Sequence, residues 1–194
     1  MRAVLEAVAE RLRNGDESLI RIPEICEATG INYGSVYHHF GSREGVIDAA
    51  YEMMFTGMVN EDIATLRGAI ESATSLAEYV AAMGPVLRSI STGEERMEHR
   101  TMRVRVVSAA LTRPGLRKVI GQAQADLTRQ LTDIVRLGQG RGWLRPDLPA
   151  QALAVMVQVI VFGRTLDDVS AEPIDLDEWN VLVQALFSDI LNQG

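Results

Sequence analysis

The chain has 194 residues, 47% hydrophobic and 23% charged, with a formal net charge of −7. That length can bury a substantial core, as one large domain or as a small one joined to a medium one. The single cysteine, Cys26, excludes an intramolecular disulfide and any multi-cysteine metal site.

Charge gives no bulk support for a nucleic-acid partner. Residues 1–48 carry five arginines and no lysine against eight carboxylates. A few well-aimed cations are nevertheless enough for phosphate contacts, so the sum excludes nothing. Residues 1–6 show no signal-peptide core. The densest apolar run, 155–162, is interrupted by Gln158 and is too short to span a bilayer. A cytoplasmic protein with no membrane partner is expected.

Helical periodicity dominates the chain in order. Val4, Leu5, Val8 and Leu12 form one stripe, and that helix should end near Asn14, Gly15 and Asp16. A short helix starts at about Pro23, where a missing N–H costs nothing, and stops at Gly30. A second short helix covers about 33–40 before Gly41. Ser42 caps a long helix from Arg43 to about Ile70, although Gly45 stands where a capping box would place Glu.

Leu76, Tyr79, Val80, Met83, Leu87 and Ile90 mark the next helix, closed by Ser91, Thr92 and Gly93. Residues 94–111 form another, ended by Arg113, Pro114 and Gly115. A long amphipathic helix runs from Leu116 to Gly138 and stops in Gly140-Arg141-Gly142. Residues 155–162 are rich in β-branched side chains. They have no strand partner, and their flanks from Ala150 to Leu166 keep helical spacing, so a helix is expected. Trp179, Leu182, Val183, Leu186, Phe187, Ile190 and Leu191 define the last helix, with Asp175 at its start. The count is nine helices and no strand: an all-α chain.

Residues 25–40 read as helix, tight turn, helix. Ile25, Cys26, Ile31, Val36 and Phe40 supply the small core that fixes the two helices, and Gly30 allows the positive φ of the turn. Cys26 is expected in the core rather than as a redox sensor. The second helix presents a polar N-terminal surface of the kind that enters a major groove.

The run Gly30-Ile31-Asn32-Tyr33-Gly34-Ser35-Val36-Tyr37-His38-His39-Phe40, followed by Gly41-Ser42-Arg43-Glu44-Gly45-Val46, resembles the DNA-binding signature of the tetracycline-repressor (TetR) family. The family's pattern falls on Gly34, Ser35, Tyr37, His38, Phe40 and Arg43. The resemblance is strong over about residues 1–50. Beyond them it rests on helix count and on Arg141-Gly142-Trp143-Leu144-Arg145-Pro146-Asp147, similar to a loop between the family's seventh and eighth helices. Tyr33 stands where the family's pattern has Lys or Arg, which makes it the expected point of departure in specificity.

Residue chemistry assigns expected roles. Tyr37, His38 and Arg43 can contact phosphate, the last at a helix N-terminus with free N–H groups. Arg21 can clamp the opposite strand. Gly34 lets the backbone approach, Ser35 reaches phosphate or base, and Asn32 and Tyr33 read base edges. His38 and His39 point about 100° apart and make poor joint metal ligands. His39 is expected to be structural, and neither metal nor cofactor is expected.

The expected division is a DNA-binding domain at 1–48 and an effector-binding and dimerisation domain at 49–194. The helix at 150–166 is apolar over too much of its circumference for one core, and that surplus face needs a partner. The resemblance implies a homodimer through the last two helices, a palindromic operator in double-stranded DNA, and a small-molecule effector whose binding tilts the long helix at Arg43. Met83, Leu87, Met97, Met102, Val106, Leu127 and Trp143 are the candidate lining for a largely apolar effector. The window 88–118 is net +5, with Arg96, Arg100 and Arg103 at helical spacing. A solvated face is the plainer expectation for it, recognition of an acidic effector or partner the sharper one. The sequence is read as a ligand-responsive repressor. An activator, a helical ligand-binding or adaptor protein without DNA affinity, and an enzyme are the competing classes. No Ser/His/Asp order, phosphate loop or metal cluster supports the enzyme.

Overall fold

Apolar residues four apart give the first helix one buried edge. Along α1 (Arg2–Asn14), Val4, Val8, Ala9 and Leu12 are buried, Leu5, Ala7 and Arg11 are half-buried, and the other positions are exposed. The computed structural model describes residues 1–14, 17–91 and 94–192. The expected end markers Gly15, Asp16, Thr92 and Gly93 therefore lie outside the described residues.

After a 3-10 turn at Glu17–Leu19 come α2 (Ile22–Thr29) and α3 (Tyr33–Phe40). Pro23 sits in the first turn of α2, one residue inside its start. Gly30 ends that helix at φ 68°, and the Ile31 N–H reaches back to the Cys26 carbonyl at 3.2 Å. This left-handed stop needs a residue without Cβ.

The remaining helices are α4 (Arg43–Ser72), α5 (Leu76–Ser91), α6 (Glu94–Thr112), α7 (Pro114–Gly140), α8 (Ala150–Gly163), the single turn α9 (Thr165–Asp168) and α10 (Leu176–Asp189). Among the described residues nine helices are two turns or longer, in line with the count expected from periodicity. Pro114 opens α7, whereas Pro85 lies inside α5 and removes one ladder donor there. Among the described residues no strand forms, and the antiparallel bridge Leu144–Leu191 is isolated.

The β-branched stretch 155–162 is helical within α8. Its apolar character runs on through Asp168, giving 19 residues long and apolar enough, by length and composition, to cross a membrane. The run is longer than the sequence reading allowed, because α9 extends it by a turn. Within it Gln158 donates to the Thr128 hydroxyl at 3.2 Å, and Arg164, Asp167 and Asp168 close it with ion-paired charges.

The chain divides into two compact units, residues 1–58 with 105–123, and residues 59–104 with 124–194. In the first unit Ile20, Ile22, Ile25, Val36, Val46 and Ile47 are almost wholly buried. Each contributes about 1.5–3 kcal/mol relative to exposure. Charges frame this core. Arg105 donates to the Leu12 carbonyl at 2.8 Å, at the end of α1 where helix carbonyls lack partners. Arg113 pairs with Glu17 and, at 2.7 Å, with Asp48. In the second unit Trp143 stacks on Tyr79 at 5.5 Å, with the Arg141 guanidinium 4.8 Å from the Trp143 ring.

Candidate nucleic-acid interface and effector cavity

The recognition surface is built around α3. Asn32 caps it, its side-chain oxygen accepting from the Ser35 N–H at 3.3 Å. Val36 is fully buried and anchors the helix, whereas Ile31 and Phe40 are only half-buried members of the expected core. Asn32, Tyr33, Gly34, Ser35 and His38 are exposed on the outer surface, as is Arg21. Tyr37 is half-buried. Its ring lies 4.5 Å from that of Tyr33, one turn earlier, and the hydrogen bond with Tyr33 raises the Tyr37 phenol above its ordinary pKa. The two tyrosines thus act as a paired surface. His39 is exposed, its ring edge-on to that of its neighbour Phe40 at 4.6 Å.

Two details change how the neighbouring residues read. A Cβ on Gly34 would come within 3.1 Å of the Asn32 cap oxygen, so this glycine makes room for the cap. Arg43 is turned inward: Nε donates to the Ile20 carbonyl at 3.1 Å and Nη2 to the Glu17 carbonyl. It ties the start of α4 to the segment before α2, and a phosphate there would share an arginine already holding two carbonyls.

Ser42 caps α4 by accepting from the Gly45 N–H at 3.0 Å. The absence of Glu at position 45 has a steric cause. Any Cβ there would stand 2.0 Å from the Phe40 carbonyl oxygen.

A cavity opens in the second unit, with about 690 Å³ of unfilled space including its mouth to solvent. Leu66, Val86, Leu127, Leu131, Val157 and Val161 give it an aliphatic wall. Asp62, Arg96, His99, Arg100 and Arg103 form the polar side. Of the seven residues expected to line an effector site, Leu127 is on the wall of this cavity. Met83 and Met102 are buried in packing, Val106 is fully buried in the first unit, and Met97 is 41% exposed. Leu87 is half-buried outside the lining, and Trp143 is taken up by Tyr79. Apolar character alone does not separate cavity wall from core.

The basic spacing on α6 is the signal that finds the cavity. Positions 96, 99, 100 and 103 share one helix face. That face is not solvated: Arg100 is 5% exposed and pairs two-pronged with Asp168, both bonds 2.6 Å. Arg96 and Arg103 both pair with Asp62. Nothing in the sequence distinguishes Asp62 from its neighbour Glu61. Among the described residues no group of three or more His, Cys, Asp or Glu could hold a metal ion.

These features define an all-helical protein with an N-terminal helix-turn-helix and a cavity in a second helical unit. Residues 20–50 match the family described as bacterial regulatory proteins, tetR family. Two curated relatives, the HTH-type transcriptional repressors AcnR of Corynebacterium efficiens and Corynebacterium glutamicum, are each 24% identical over 139 residues. Each match covers 71% of this chain and 64% of the relative. The TetR-family transcriptional regulator from Cytophaga hutchinsonii has a similar structure, with TM-score 0.71 at 20% identity, covering 100% of this chain and 95% of that one. A protein described as a transcriptional regulator from Saccharomonospora viridis, in complex with choline, also scores 0.71 at 17% identity, covering 99% and 97%. The resemblance to the TetR family read from residues 30–46 is therefore shown in the helix-turn-helix, and the fold is shared over the chain's length.

Proposed function

We propose that this chain is a ligand-responsive transcriptional repressor that binds a palindromic operator as a dimer and is released by a small-molecule effector. The observation that carries the reading is the helix-turn-helix of α2 and α3, with its capped recognition helix and the exposed residues 32–35 and 38. Residues 1–48 act as the DNA-binding domain and 49–194 as the effector and dimerisation domain. Tyr37, His38 and Arg21 contact phosphate, Ser35 phosphate or base, and Gly34 admits the backbone. Asn32 and Tyr33 face the bases. Arg43 holds the start of α4 in register and offers its remaining N–H groups to phosphate. Repression, rather than activation, is carried over from the Corynebacterium relatives' names.

Exposed apolar residues support the dimer. On α8, Val155, Met156, Val159 and Phe162 are 43%, 36%, 62% and 43% exposed; on α10, Val181, Leu182 and Leu186 are 69%, 49% and 40% exposed. A second copy would cover these faces, since isolated patches of this kind mark interaction surfaces. Effector binding would shift the population away from the DNA-competent state. The continuous helix α4 supports that route, because it carries Arg43 at its start and the cavity residues Asp62, Thr65 and Leu66 further on. Choline is not carried over from the Saccharomonospora viridis neighbour, because three guanidiniums oppose a cation. The proposed workplace is the cytoplasm.

The deciding experiment is gel retardation of palindromic duplexes from the upstream region of the protein's own gene, across a salt series. Retention that weakens steeply with salt is expected. Equal retention of all sequences, or none, refutes the reading.

A further inference from the structure

Two arginines on the polar side of the cavity compete for one carboxylate. Arg96 and Arg103 share one carboxylate, Asp62, at side-chain exposures of 29%, 13% and 22%. The third arginine, Arg100, is paired two-pronged with Asp168. Among the described residues Asp62 is the carboxylate that Arg96 and Arg103 share, with His99 beside them on the same face. The Arg103 Nε–H is buried and has no hydrogen-bond partner among the described residues. A buried donor without an acceptor, beside two guanidiniums that share one carboxylate, is costly unless something accepts from it. The opposite wall offers aliphatic carbon from Leu66, Val86, Leu127, Leu131, Val157 and Val161.

We propose that the effector is an amphiphilic oxyanion, its carboxylate or phosphate seated between Arg103 and Arg96 and its hydrocarbon body against the aliphatic wall. A planar guanidinium fork matches either headgroup. The oxyanion would accept from the Arg103 Nε–H and supply the second negative charge that Asp62 alone does not. The same wall that receives a hydrocarbon body explains why a simple inorganic anion is a poorer ligand: it would leave that surface wet. The inference rests on the regulator reading, from which it takes the cavity to be an effector site.

The test is calorimetric titration of the full-length protein with butanoate, hexanoate, octanoate and octyl phosphate, each compared with octanamide and inorganic phosphate. At least one amphiphilic anion should bind at least about ten-fold more tightly than the amide, the scale of a charge-assisted hydrogen bond. Comparing octanoate with octyl phosphate separates the two headgroups. Arg103→Gln should weaken binding by about ten-fold or more. Asp62→Asn should tighten it, because it releases two guanidiniums from their competing carboxylate. A role confined to folding would not make the two variants move in opposite directions, and thermal melts of the unliganded variants separate the two effects. Equal binding of amide and anions, or weakening by both variants, overturns the proposal. Operator retardation by the unliganded protein is measured alongside. Its absence overturns the regulator reading alone, whereas retained DNA binding with no preference for anions overturns the oxyanion alone.

Discussion

Gly45→Ala separates what a helix prefers from what this junction permits. Position 45 lies in the first turn of α4, and propensity alone expects alanine to stabilise a helix by about 1 kcal/mol over glycine. The structure expects the reverse. The new Cβ would lie 2.0 Å from the Phe40 carbonyl oxygen and 3.2 Å from its carbon, whereas a close carbon–oxygen contact is about 3.3 Å. The obstacle is backbone at the end of α3, so no rotamer change relieves it. Overpacking of this kind costs about 3 kcal/mol, which leaves a net loss of about 2 kcal/mol. For a chain of this size the melting temperature should fall by about 4–8 °C. Gly57→Ala, in the same helix with nothing within 4 Å of its Cβ, is the control and should raise it. Thermal unfolding followed by circular dichroism reads both. A Gly45→Ala melting temperature at or above that of the parent would refute the steric argument. Operator affinity should fall with it, because the required shift moves the last residue of the recognition helix.

Tyr51 and Tyr79 give an alkaline prediction. Burial raises both phenols from 10.0 to about 12, with Glu17 adding to the shift at Tyr51. Their contribution to stability is complete below about pH 10 and is lost as pH rises through 12. Spectrophotometric titration should find these two phenols ionising late, together with unfolding. At the recognition surface, Tyr37→Phe combined with Arg43→Ala should weaken DNA binding on every sequence by gel retardation. Arg43→Ala should also lower the melting temperature, since it removes two ties to main-chain carbonyls. Val159→Glu with Leu182→Glu should leave a folded monomer in sedimentation at micromolar concentration. An unchanged dimer would place the interface elsewhere.

Local chemistry made the helix-turn-helix legible in the sequence. Gly30 stops α2, Asn32 caps α3 and Ser42 caps α4 through contacts a few residues apart, so their residue types and spacing carry the information. The same holds for α8, where helical spacing outweighs β-branched content, and for the shared face of Arg96, Arg100 and Arg103. Tertiary structure decided what those faces meet. A stripe of arginines looks alike whether solvated or buried. Asp62 and Asp168, 34 and 68 residues from their partners, turned this one into a cavity wall. It likewise left Leu127 on that wall and sent Met83, Met102 and Val106 into packing, because burial depends on neighbours distant in sequence and apolarity alone does not specify them. Arg43 and Gly45 illustrate the same division. The sequence placed both at the start of a helix, but only the fold showed that one reaches back to the carbonyls before α2 and that the other is glycine because the Phe40 carbonyl occupies the space a side chain would need.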